Sequence, residues 1–331
     1  MKKPAFQIKR LLTTIVHWNW LVILAVGVLA SLILILVLFF TYGHRIDREY
    51  VAGLPEYVDS DHDVMCLPII PEGAVVPQDD GATTIVAFGN APFADDKDSP
   101  DSLSSIIASK TDVTIYNCAV KDSYLSTANF TFNAQDYAMD AWSFYWMACL
   151  ITFGTNDWMY QEAFAYLGEN TPADARESYE TLRSIDFMDV DVITILYDGS
   201  DYLEGRSVYT DGNTTDIQTF TGNLAAGIEI IRSVYPHIRI IVLSTPYAYA
   251  IDEDGSYVSS DIKRYGKDSL STYMIKVSDL CYNENITHVD LLYEAFHEEN
   301  ATEYLKDNLH LNVDGRNAIA DRFIFALNYF D

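Results

Sequence analysis

Positive charge is scarce in this chain: 21 Lys and Arg stand against 48 Asp and Glu in 331 residues, a net charge of −27. A surface of that balance repels phosphate backbones, which argues against nucleic acid as a partner. Cysteine is scarce as well. Cys66, Cys118, Cys149 and Cys281 form no CxxC pair and no metal-ligand spacing, so neither a metal site nor a cofactor is expected. Cys118 and Cys149 lie in apolar surroundings, as buried thiols do. One disulfide is open to an exported domain, and the spacing does not choose its partners.

Charge of either sign is missing from Trp18 to Tyr42. That run is long enough to cross a bilayer as a helix, with aromatic residues at both ends. Lys2, Lys3, Lys9 and Arg10 precede it, which places the N-terminus in the cytoplasm. A cleaved signal peptide fits less well, because the run is too long and no small-residue cleavage site follows. The expected organisation is a cytoplasmic tail (1–17), a transmembrane helix (18–42), an extracytoplasmic stalk (43–80) and a folded domain (81–331). The membrane is thus an expected partner through 18–42. Residues 1–44 carry four basic and no acidic side chains, leaving −31 on the exported part against −27 overall. The stalk holds Pro55, Pro68, Pro71 and Pro77. Asp59, Asp61 and Asp63 alternate like a calcium loop, but the turn glycine and closing glutamate are missing, which leaves a solvated acidic loop.

From Gly81 onward, strand-like and helix-like runs alternate. The strands are read at 83–88, 113–116, 190–197, 237–243 and 288–290. Helices are read at 102–108, 219–235, 261–282 and 312–329. This alternation implies a three-layer α/β/α domain on a parallel sheet of about five strands, with ligands beyond the strands' carboxyl ends. Residues 124–185 are too long for one crossover and read as a helical insertion, packed on the sheet and shaping the site as a lid would.

Four short segments fall at that carboxyl end. Asp307-Asn308-Leu309-His310 precedes the last helix, and a carboxylate three residues before an imidazole suits the acid–base half of a hydrolytic triad. Gly89-Asn90-Ala91 follows the first strand, Asn117-Cys118-Ala119 the second and Asp198-Gly199-Ser200-Asp201 the third. Gly154-Thr155-Asn156-Asp157 lies inside the insertion and reads as a chance likeness to the segment after the third strand.

The order and context of these segments, over roughly 82–331, resemble the SGNH (GDSL-type) hydrolases. The resemblance implies a nucleophilic serine at position 91, oxyanion donors at 119 and 200, His310 as base and Asp307 as its orienter. The chain departs from that pattern. Ala91 removes the attacking oxygen, Ala119 stands for a glycine and Ser200 for an asparagine. Losing the nucleophile costs serine hydrolases on the order of 10⁶ in turnover. Anchored, exported members resemble proteins that handle envelope polysaccharide. An O-acylated glycan or another small ester is therefore the expected ligand, with serine-esterase activity in doubt. A catalytically silent glycan- or protein-binding scaffold is one alternative. A hydrolase with another nucleophile (Ser200, Ser123 or Asp95) is the other. Asp95, Asp96 and Asp98 read as a solvated acidic loop. Tyr197, Tyr202, Tyr247 and Tyr249 flank the third and fourth strand ends and could pack on sugar faces.

Overall fold

The computed structural model describes residues 62–330 apart from Asp79 and Glu294. The expected tail, the membrane span and the stalk up to residue 61 lie outside the described residues. No helix among those described is long and apolar enough to cross a membrane.

Five parallel strands form the sheet. They are β1 (Thr83–Gly89), β2 (Val113–Asn117), β3 (Val192–Leu196), β4 (Arg239–Leu243) and, after a two-stranded hairpin of β5 (Ala250–Ile251) and β6 (Tyr257–Val258), β7 (Thr287–Val289). The order is β2-β1-β3-β4-β7. Every residue of β3 and β4 is buried, as parallel strands covered on both faces require. The order reverses between β1 and its neighbours β2 and β3, and a sheet of this kind binds ligands at such a point, beyond the carboxyl ends. Gly89, Ala119 and Asp198 lie at those ends.

Helices Leu103–Lys110 and Val313–Leu327 pack on each other, as do Phe220–Val234 and Leu270–Glu284. The insertion is part of the core and not a lid. Its helix Phe144–Thr152 lies along Phe220–Val234, and a Cβ on Gly227 would come within 2.6 Å of the Phe144 ring. Phe144 meets Phe88 of β1 edge to face at 5.6 Å. Trp142 is fully buried and donates its indole N–H to Ala175 O at 2.9 Å.

Two expectations change. The long helix read from residue 261 begins at Leu270. Gly255 supports the turn of the β5–β6 hairpin at φ +84°, and Gly266 lies too close to the Gly205 carbonyl for a side chain. The stalk reading also stops short, since residues from His62 onward lie on the domain. Val64 pairs antiparallel with His288, with N–H···O distances of 2.9 and 2.8 Å. Asp63 is no solvated loop residue. Its side chain is buried and accepts both 3.0 Å contacts from Arg322 Nη2. This added segment covers the free edge of β7, which removes an exposed pairing edge.

His288 on that edge is fully buried. Burial holds its imidazole down at about 4, from the ordinary 6.5. Between those values the unfolded chain binds a proton that the folded chain refuses. Stability is therefore present at neutral pH and lost as pH falls through this window. The shift corresponds to on the order of 3 kcal/mol. Urea unfolding at pH 7.5 and 4.5 is expected to show a larger acid loss in wild type than in His288→Gln. Equal losses would show that His288 is charged in the folded state.

Candidate active site

The site begins where β1 stops. Gly89 passes so close to β3 that a Cβ there would sit 2.0 Å from the Leu196 carbonyl oxygen. Asn90 follows, and Ala91 opens the short helix Ala91–Ala94 with Pro92 in its first turn. Ala91 is 5 % exposed and offers only a methyl group.

Asn90 is tied to the other strand ends. Its Oδ1 accepts the Asp198 backbone N–H at 2.8 Å. Its Nδ2 donates to Asp198 Oδ1 at 2.7 Å and to Ser123 O at 3.1 Å. The Asp198 carboxylate also receives the Ser200 N–H at 2.9 Å. Burial raises the Asp198 carboxyl; the Ser200 and Asn90 hydrogen bonds and the charge of His310 oppose that rise. Gly199 is hemmed in by Ala248 and Leu309. Asp201 is buried and receives Leu125 N–H at 2.9 Å, Ser126 N–H at 3.1 Å and the Ser126 hydroxyl. It is therefore the anchor that joins the loop after β2 to the loop after β3.

At the end of β2, Asn117 folds back on its own turn. Its Oδ1 accepts Ala119 N–H at 3.1 Å, and its Nδ2 donates to Phe93 O and Ser104 Oγ. Ala119 is fully buried.

The dyad forms as its spacing implies. His310 Nδ1 lies 2.8 Å from Asp307 Oδ2. Asp307 Oδ1 accepts the N–H groups of Leu309 at 2.8 Å and His310 at 2.7 Å. Burial would raise the Asp307 carboxyl, but these donors and the imidazole outweigh it and hold it low. The helix that follows is capped by Asn312, whose Oδ1 accepts Gly315 N–H at 3.0 Å. Asp307 is thus free of capping duty and serves the imidazole. The dyad loop is pinned to the β4 side by Tyr249 N–H, which donates to Asn308 O at 2.7 Å. Leu309 packs against Gly199. This brings the His310 ring within electrostatic reach of both Asp198 and Asp95.

Several expected residues do other work. Asp95 is buried, not solvated, and is clamped between Lys121 and Lys306, each at 3.0 Å. Burial raises its carboxyl, but the two ammonium groups hold it low. Ser123 is fully buried and donates its hydroxyl to Val120 O at 2.8 Å. Neither is poised to attack a ligand. In the Gly154–Asp157 turn, Asn156 donates to Trp146 O at 2.8 Å and Asp157 accepts from the Tyr179 hydroxyl at 2.8 Å. This segment is spent inside the insertion. Tyr197, Tyr202 and Tyr247 are at most 2 % exposed and belong to the core. Only Tyr249 reaches the rim, stacked at 5.6 Å on Tyr257, which is 51 % exposed.

Two solved structures superpose on most of the chain. One is 17 % identical, with a TM-score of 0.52 over 75 % of this chain and 97 % of its own. The other, a Lactobacillus plantarum protein, is 16 % identical, with a TM-score of 0.51 over 76 % of this chain and 98 % of its own. The likeness is one of fold. A possible lipase from Chitinophaga pinensis is similar at 14 % identity and a TM-score of 0.46, over 75 % of this chain and 99 % of its own. No family model matches the chain, and no curated protein does.

Sequence reasoning missed the bonds between Asn90 and Asp198 and the clamp on Asp95. The available signal was the amide at 90 facing a carboxylate at the end of the most apolar strand. All four cysteines are free, and burial pushes the thiols of Cys149 and Cys118 up to about 11 and about 12. Among the described residues, no group of three or more His, Cys, Asp or Glu side chains could hold a metal ion.

Proposed function

We propose that this is a membrane-anchored, extracytoplasmic protein of SGNH hydrolase type. Its cleft takes an O-acylated glycan or another small ester and has lost serine-esterase turnover. Two observations carry the reading: Ala91 at the head of its helix has only a methyl group, and the His310–Asp307 dyad is complete. A base and its orienter are in place, but position 91 offers no hydroxyl for the base to deprotonate. The locked side chains of Ser123 and Asp95 speak against these two as substitute nucleophiles. The half-buried Tyr249 and exposed Tyr257 offer ring surface for a sugar's C–H face. A catalytically silent scaffold that binds a protein instead of a glycan is the second reading, supported by the near-complete burial of Ala91 and Ala119.

The test is hydrolysis of p-nitrophenyl acetate by the full-length protein beside His310→Ala. The two rates are expected to coincide, because removing the nucleophile costs on the order of 10⁶ and leaves the base idle. Turnover that depends on His310 would overturn the reading. The anchor is checked by sodium carbonate extraction, which should leave the full chain in the membrane pellet and release a chain starting at residue 58.

A further inference from the structure

We infer that Asp198 is an internal anion that occupies the Ser200 donor an acyl-transfer site would turn toward its oxyanion, so that the site is silenced twice and not only at Ala91. This rests on the reading of positions 119 and 200 as the oxyanion positions of an SGNH-type site.

The donors are already in use. Ala119 N–H is bonded to Asn117 Oδ1 at 3.1 Å. Ser200 N–H is bonded to Asp198 Oδ1 at 2.9 Å. Asp198 is 3 % exposed, and its second oxygen is buried without a hydrogen-bond partner among the described residues. A fixed carboxylate here has two effects on acyl transfer. It takes a dipole that should meet the growing negative charge, and it repels that charge in a poorly solvated place.

The partner of this carboxylate completes the argument. Asn90 stands where the resemblance implies an aspartate, and Asp198 where it implies a glycine. The charge has crossed from the end of β1 to the end of β3. The Asn90 amide bridges it from both sides, giving 2.7 Å and receiving 2.8 Å. The exchange keeps the two strand ends bonded, so the fold is retained while the oxyanion position is lost. Asp198 acts here as a positioning residue, through Ser200.

Fluorophosphonate labelling of the full chain in detergent, read by intact mass, tests this. In the Ala91→Ser background the introduced hydroxyl attacks phosphorus, His310 takes its proton, and fluoride leaves as the new P–O bond forms. Ala91→Ser alone is expected to label no faster than wild type. Adding Asp198→Gly, which removes the acceptor and frees the Ser200 N–H, should raise the rate by on the order of 10², the usual worth of one oxyanion donor. That gain should vanish with His310→Ala. Asp198→Ala in the same background is the second variant should the glycine disturb folding, which near-UV circular dichroism reports. Labelling of Ala91→Ser as fast as that of the double variant would overturn the inference, as would folded double variants that stay unlabelled. Neither result touches the proposed function, which falls only if the unaltered protein turns over an ester through His310.

Discussion

Arg322→Ala is expected to lower the stability of this protein by about 3–5 kcal/mol at neutral pH, the usual cost of breaking a buried ion pair by removing one partner. The side chains of Arg322 and Asp63 are only 6 % and 4 % exposed. Two 3.0 Å contacts join the guanidinium to the carboxylate, which also receives Asp290 N–H at 2.7 Å. Without the guanidinium, the Asp63 charge is buried with only backbone support, and the segment from His62 to Cys66 should leave the edge of β7. The loss should shrink in acid. Burial pushes the Asp63 carboxyl up to about 6 even with Arg322 present, so below that pH the variant buries a neutral acid. Its folded state binds the proton more readily than the unfolded one, and this stabilises the fold as pH falls. Replacing both partners, as in Asp63→Leu with Arg322→Met, should cost little, because no unpaired charge remains. Urea midpoints of the three proteins at pH 7.5 and 5 decide the matter. A loss under about 1 kcal/mol in Arg322→Ala at pH 7.5 would place the pair with solvent-screened surface bridges instead.

Gly89→Ala should be comparably severe, at least about 3 kcal/mol, the upper end of what overpacking costs. The obstacle is backbone, since the added Cβ would lie 2.0 Å from the Leu196 carbonyl oxygen. No rotamer change relieves that contact, so β1 and β3 must separate at the point where Asn90 and Asp198 meet. Gly212→Ala is the control. Gly212 also has positive φ, at +76°, but nothing lies near its missing side chain, so only the left-handed penalty of about 1–2 kcal/mol applies. Matching losses in the two variants would mean that β1 and β3 can separate at this point without cost.

How much was legible follows from how far apart the interacting residues lie. The strands were readable because a covered parallel strand is an apolar run, as in Val192–Leu196. The dyad was readable because its contacts stay within four residues, from Asp307 to His310. The β5–β6 hairpin was missed, since two-residue strands carry no periodicity and the run after them is polar enough to pass for a helix surface. The tyrosines could not be sorted. Tyr197, Tyr202 and Tyr247 fill the core while Tyr249 meets the rim, and neighbours in sequence do not reveal which side of a strand end faces solvent.

By itself, the sequence determined the parallel α/β plan, the place of the His310–Asp307 pair and the lack of a nucleophilic atom at position 91. These are local facts of pattern and residue type. Tertiary structure alone decided that Asp198 answers Asn90 across 108 residues and that Asp63 reaches Arg322 across 259. Such partners are chosen by the meeting of strand ends and edges, which no short window of sequence contains.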